Sequence, residues 1–137
     1  MKRSFVITML ILAALAGFII DARVRPAQLS PGYLAKGGIA SFKTALSVFK
    51  VDHGRFPTKA ESLEALIDRP ATIPEGGKWH RYLDADKLPN DPWGRRYVYE
   101  IPGKHNPDGY DVYSLGPHGK GGDEAIGNWT PPPDVNR

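Results

Sequence analysis

Three side chains within one short glycine-dense run could bind a metal ion. They are His118, Asp123 and Glu124, in the stretch Tyr113-Ser114-Leu115-Gly116-Pro117-His118-Gly119-Lys120-Gly121-Gly122-Asp123-Glu124-Ala125-Ile126-Gly127-Asn128-Trp129. A glycine-rich loop lets several backbone carbonyls turn toward one point. The Leu115 carbonyl, at the end of a strand-like segment, is the fixed oxygen of this set. A His with two carboxylates suits zinc or manganese. A solvated loop without a metal is the plain alternative.

No other motif carries chemistry. Gly-x-Ser-x-Gly, a phosphate-binding glycine loop and a helical His-x-x-x-His pair are all absent from the sequence. His53, His80 and His105 each lie beside turn residues. Asp84 and Asp86 sit in a polar stretch and read as solvated. Catalytic and cofactor-binding residues are therefore expected to be none.

The elements that must hold the loop are legible in the rest of the chain. The sequence has 137 residues, a net charge of +3, 13 Pro, 15 Gly and no Cys. That length suits one small domain. A disulfide framework is impossible. The weak positive charge, with no Lys/Arg patch interleaved with aromatics, argues against nucleic acid as a partner.

Met1-Lys2-Arg3 precedes residues 5–20, which are apolar or small apart from Thr8, and Asp21 ends the run. As a helix this run spans about 24 Å, short of the roughly 30 Å hydrocarbon core. Arg3 and Arg23 can snorkel to cover the difference. The expectation is a single membrane span with the N-terminus inside. A cleaved signal with Ala14-Leu15-Ala16 before the cut is the rival. Residues 1–25 form the membrane segment and 26–137 the head outside the cytoplasm.

Pro26 and Ser30-Pro31 interrupt or kink the helix. Helical periodicity then resumes, with Leu34, Ile39, Phe42, Leu46 and Phe49 on one face. Gly37-Gly38 weakens it by about 2 kcal/mol relative to two alanines. It ends near Asp52-His53-Gly54. Thr58-Lys59-Ala60-Glu61 has the capping-box pattern and predicts a short second helix burying Leu63, Leu66 and Ile67. Residues 71–95 read as a long loop pinned by Trp79, Tyr82, Leu88 and Trp93. Residues 96–101 and 110–115 read as two antiparallel strands about the Pro107-Asp108-Gly109 turn. They need support from the helix face or a third strand.

Four stretches in this order carry a family resemblance. They are residues 39–58, ending Asp52-His53-Gly54-Arg55-Phe56-Pro57-Thr58; Leu88-Pro89-Asn90-Asp91-Pro92-Trp93-Gly94; Tyr113-Ser114-Leu115-Gly116; and Ile126-Gly127-Asn128-Trp129. Together, over about residues 34–129, they resemble the major-pseudopilin family of type II secretion systems. The resemblance implies an α+β, pilin-like fold. A long N-terminal helix, its first half in the membrane, packs on a small antiparallel sheet with a short second helix and long loops. It implies a non-enzymatic subunit of a periplasmic pseudopilus that drives export of folded proteins. Its partners would be further copies in a helical filament, minor pseudopilins, the inner-membrane secretion platform and the inner membrane. The location would be the bacterial inner membrane, single-pass, with the C-terminal head in the periplasm. A membrane-tethered, non-polymerising periplasmic cation-binding module is the alternative.

The family also implies that the opening loop is a calcium site. In this chain Leu115, His118, Asp123 and Glu124 are its candidate ligands. The chain departs from the family pattern in two places. His118 stands where an Asp is usual, in a loop that looks slightly shortened. Family members carry a basic leader cut between Gly and Phe and an acid at the fifth mature position, whereas here Phe5 follows Ser4 and no acid precedes Asp21.

Overall fold

A computed structural model of the chain describes residues 29–129. The expected membrane segment, residues 1–25, lies outside them. Among the described residues no helix is long and apolar enough to cross a membrane.

Helix α1 runs over Pro31–His53. Ser30 caps its start, its hydroxyl accepting from the Tyr33 N–H at 3.2 Å, and Pro31 occupies the first turn, where no N–H is needed. Gly54 ends it in the left-handed conformation (φ 71°), its N–H donating to the Lys50 carbonyl at 2.8 Å. The buried stripe is Ala35, Ile39, Phe42, Ala45, Leu46 and Phe49. Leu34, expected in this stripe, is 47% exposed. At about 100° per residue Ala35, not Leu34, continues the row of Ile39 and Phe42, and it is fully buried with its carbonyl accepting the Tyr97 hydroxyl.

The capping box forms as expected. The Glu61 N–H donates to Thr58 Oγ1 at 3.2 Å, and the Thr58 N–H donates to Glu61 Oε2 at 2.6 Å. The short second helix follows as a 3-10 turn. Ser62 takes φ 54°, which an L-residue adopts at a cost, and only a 3-10 turn, Leu63–Leu66, is formed. Leu63, Leu66 and Ile67 are nonetheless buried. Residues 71–95 form a long irregular connection. The Trp79 indole N–H donates to the Ala65 carbonyl at 3.1 Å, and the Tyr82 and Leu83 amides both donate to the Leu66 carbonyl.

Three antiparallel strands follow: β1 (Val98–Glu100), β2 (Asp111–Ser114) and β3 (Ile126–Gly127), in the order β1-β2-β3. Tyr99 pairs with Val112, and Ser114 with Ile126. The strands are shorter than the alternation predicts, and β3 supplies the extra support that a two-stranded ribbon lacks. Tyr97, Tyr99 and Val112 pack on Ile39, Phe42, Leu46 and Phe49. Phe42 meets Tyr97 edge to face with ring centroids 5.2 Å apart. The tyrosine hydroxyls reach across the core. Tyr97 donates to the Ala35 carbonyl at 3.3 Å and Tyr99 to the Pro57 carbonyl at 2.8 Å. Burial pushes the Tyr97 hydroxyl up to about 12.

Candidate functional site

The loop singled out by its residue types joins β2 to β3. It is tightly folded on itself. Gly116 has φ 80°, and a β-carbon there would lie 2.3 Å from the Glu124 carbonyl oxygen, so the outgoing chain passes directly over the incoming one. Backbone bonds run inward: Gly119 N–H to Gly116 O at 3.2 Å, Gly121 N–H to Leu115 O at 3.0 Å, and Ala125 N–H to Gly122 O at 3.1 Å.

The four candidate ligands are used differently from one another. The Leu115 carbonyl already accepts the Gly121 N–H. His118 Nδ1 lies 2.9 Å and 3.0 Å from the two carboxylate oxygens of Glu124, which form an exposed pair. Asp123 is not part of that pair. It lines a recess with Glu100, Lys104, His105 and Trp129. Among the described residues no three His, Cys, Asp or Glu side chains come together as a metal-holding group. Calcium takes six to eight oxygens, several of them charged, around one point. One carboxylate engaged by an imidazole and another outside that pair do not fit that donor set.

Sequence reasoning missed the residue that engages the loop most directly. Arg95 Nη1 donates to the Gly116 carbonyl at 3.0 Å, and Nη2 donates to the Pro117 carbonyl at 3.2 Å. Its side chain lies against Gly119, where a β-carbon would come 2.6 Å from Arg95 Nε. Arg95 is itself held by the preceding turn. Asp91 Oδ1 accepts the Trp93 and Arg95 amides at 3.1 and 2.8 Å. Asp91 Oδ2 accepts the Ser114 hydroxyl, and Ser114 Oγ accepts the Gly116 N–H at 3.1 Å. Asp91 and Ser114 are both buried.

A second buried carboxylate, Asp111, secures the other end of β2. Asp111 accepts the His105 N–H at 2.7 Å, the Asn106 N–H at 3.1 Å and the Asn106 side-chain amide at 2.7 Å, with His105 Nδ1 3.1 Å away. Burial by itself pushes this carboxyl up; the bonds from His105 and Asn106 outweigh it and hold it below the ordinary range. The ring of His105 stacks on Trp129, with centroids 3.7 Å apart. Asn128 accepts the Val112 N–H and donates to the Tyr110 carbonyl. The Ile126-Gly127-Asn128-Trp129 run is thereby the clasp that ends the fold.

The arrangement holds one segment of the chain to another. Comparisons with known proteins agree with that character. The family model "Type II secretion system (T2SS), protein G" matches residues 27–129. A type II secretion system core protein G of Pseudomonas aeruginosa is 35% identical over 127 residues, covering 90% of this chain and 88% of the relative. Its counterpart in Escherichia coli strain K12 is 30% identical over 124 residues, covering 90% of this chain and 84% of the relative. The crystal structure of the major pseudopilin from the type 2 secretion system of enterohaemorrhagic Escherichia coli superimposes with a TM-score of 0.61 at 29% identity, covering 74% of this chain and 88% of that one. The long helix on a small antiparallel sheet is thus the pilin-like fold of a major pseudopilin, and the chain belongs to the type II secretion system protein G family.

Proposed function

We propose that this protein is a structural subunit of a pseudopilus, and that the pseudopilus drives export of folded proteins through a type II secretion system. The observation that carries this reading is the family match across residues 27–129, which spans the whole described head. The family is one of structural pseudopilin subunits, not enzymes. In this reading residues 5–20 insert in the inner membrane as a single span, and residues 26–137 form the head on the periplasmic side. Copies stack their apolar N-terminal segments, and the heads surround them. Lys2 and Arg3 before the apolar run favour that orientation, and Arg23 and Arg25 after it reduce the bias.

The test is assembly itself. Cysteine pairs placed along residues 10–20 of the cysteine-free chain are expected to cross-link neighbouring copies in the membrane. Scrambling that segment is expected to stop secretion. Normal secretion by a head attached to a foreign anchor of equal length would overturn the reading.

A further inference from the structure

We infer that the loop between β2 and β3 is closed in this chain by the Arg95 guanidinium, in the place of a metal ion. Gly116 and Pro117 present adjacent backbone oxygens to one side of the loop, and the two Nη atoms of Arg95 take them at 3.0 and 3.2 Å. A planar guanidinium offers two parallel donors of fixed spacing, and bonds from a charged donor are about twice as strong as neutral ones. A cation is therefore already delivered to two backbone oxygens of the loop, while the neighbouring Leu115 carbonyl is taken by the Gly121 N–H.

The delivery is prearranged. The Asp91 turn fixes the Arg95 backbone from both sides, accepting its N–H at 2.8 Å and donating to its carbonyl at 2.7 Å. The same carboxylate holds Ser114, which accepts the Gly116 N–H. One turn thus grips Gly116 at its amide, through Ser114, and at its carbonyl, through Arg95. Gly119 leaves room for the guanidinium to lie flat, because any side chain there would strike Arg95 Nε.

The charges point the same way. Arg95 and Lys120 balance Asp123 and Glu124, so the loop has no surplus of carboxylates to neutralise a divalent ion. Arg95 also repels such an ion from the oxygens it occupies. Glu124 is closed onto His118, which completes the far side of the loop. This inference rests on the loop geometry alone and stands or falls independently of filament assembly.

The experiment uses the full chain in detergent. Wild type is expected to melt at the same temperature in millimolar calcium and in excess chelator, and the Gly119 and Gly121 amides are expected to keep equal protection from hydrogen exchange in both. Arg95→Gln is expected to lower the melting temperature by about 5 °C, to speed proteolysis between residues 116 and 125, and to gain nothing from calcium. Arg95→Lys, which keeps the charge without the fork, is expected to fall between the two. A calcium-dependent rise of several degrees in wild type would overturn the inference. So would loss of amide protection on chelation, a measurement that needs no variant. An Arg95→Gln protein that melts like wild type would overturn it as well.

Discussion

Replacing Glu61 by Gln should destabilise the head and flatten its response to acid. The Glu61 side chain is only 4% exposed and receives four contacts. Arg55 donates from Nη1 and Nη2 at 2.6 and 2.8 Å, the Thr58 N–H donates at 2.6 Å, and the Thr72 hydroxyl donates to Oε1. The Arg55 bonds, against the opposing effect of burial, hold the carboxyl down at about 2, from an ordinary 4.5. A difference of that size corresponds to about 3 kcal/mol. The folded pKa is the lower one, so the contribution is fully present above about pH 4.5 and is lost as pH falls toward 2. Arg55 is 39% exposed, so water can take back the stranded guanidinium, and the loss stays below the figure for a fully buried pair. Glu61→Gln is therefore expected to cost about 2–3 kcal/mol at pH 7. The assay is urea unfolding followed by tryptophan fluorescence, repeated from pH 7 to pH 2. Asp52 and Asp111 are also held low and contribute to acid unfolding in both proteins, so the difference between wild type and variant isolates Glu61. A gap that is absent at pH 7, or that stays constant down to pH 2, would refute the reasoning.

The two neighbouring glycines of α1 should respond oppositely to alanine. A β-carbon at Gly37 meets nothing within 4 Å, so Gly37→Ala is expected to raise stability by about 1 kcal/mol in thermal melts, whereas at Gly38 it would lie 2.3 Å from the Tyr97 hydroxyl oxygen, and Gly38→Ala is expected to lower it. Asp111→Ala strands donors from His105 and Asn106 and is expected to lower the urea midpoint by the equivalent of about 3 kcal/mol; an unchanged midpoint would mean that water replaces the carboxylate.

The helix frame was readable because it rests on periodicity. Ile39, Phe42, Leu46 and Phe49 recur at helical spacing, and Gly54 stands where a left-handed closing residue is needed. Position 34 was misread because hydrophobicity favours Leu, while the packing row runs through Ala35. The second helix is a single 3-10 turn beginning after Ser62, and the sequence does not show how short it is. Thr58 and Glu61 satisfy the capping box whether or not a helix follows, so the motif reports a local hydrogen-bond exchange and not the length of what comes after it. Strand β3, only Ile126–Gly127, is too short for an alternation to show. In the loop, His118, Asp123 and Glu124 were visible as residue types, but which oxygens each would face depends on the path of the chain. Arg95 left no signal because its acceptors are backbone carbonyls, which have no signature in side-chain sequence.

The placement of the buried polar groups explains why this head suits a subunit that must be pulled or pushed. Among the described residues no buried side-chain nitrogen or oxygen lacks a partner. Asp91 and Ser114 join the turn before β1 to the end of β2, and Asp111 joins β2 to the loop at His105 and Asn106. The tyrosine hydroxyls then tie sheet to helix at two separated points. Tyr97 reaches Ala35 in the early part of α1, and Tyr99 reaches Pro57, just beyond its end. A displacement along the helix axis is therefore delivered to the sheet at both ends, with the Phe42, Leu46 and Phe49 packing between them. The carboxylates of Asp91 and Asp111 thus fix the segments of the head to one another, and the two tyrosine hydroxyls fix the sheet to the helix and to the chain just beyond it, so that each copy of a repeating subunit keeps one internal geometry.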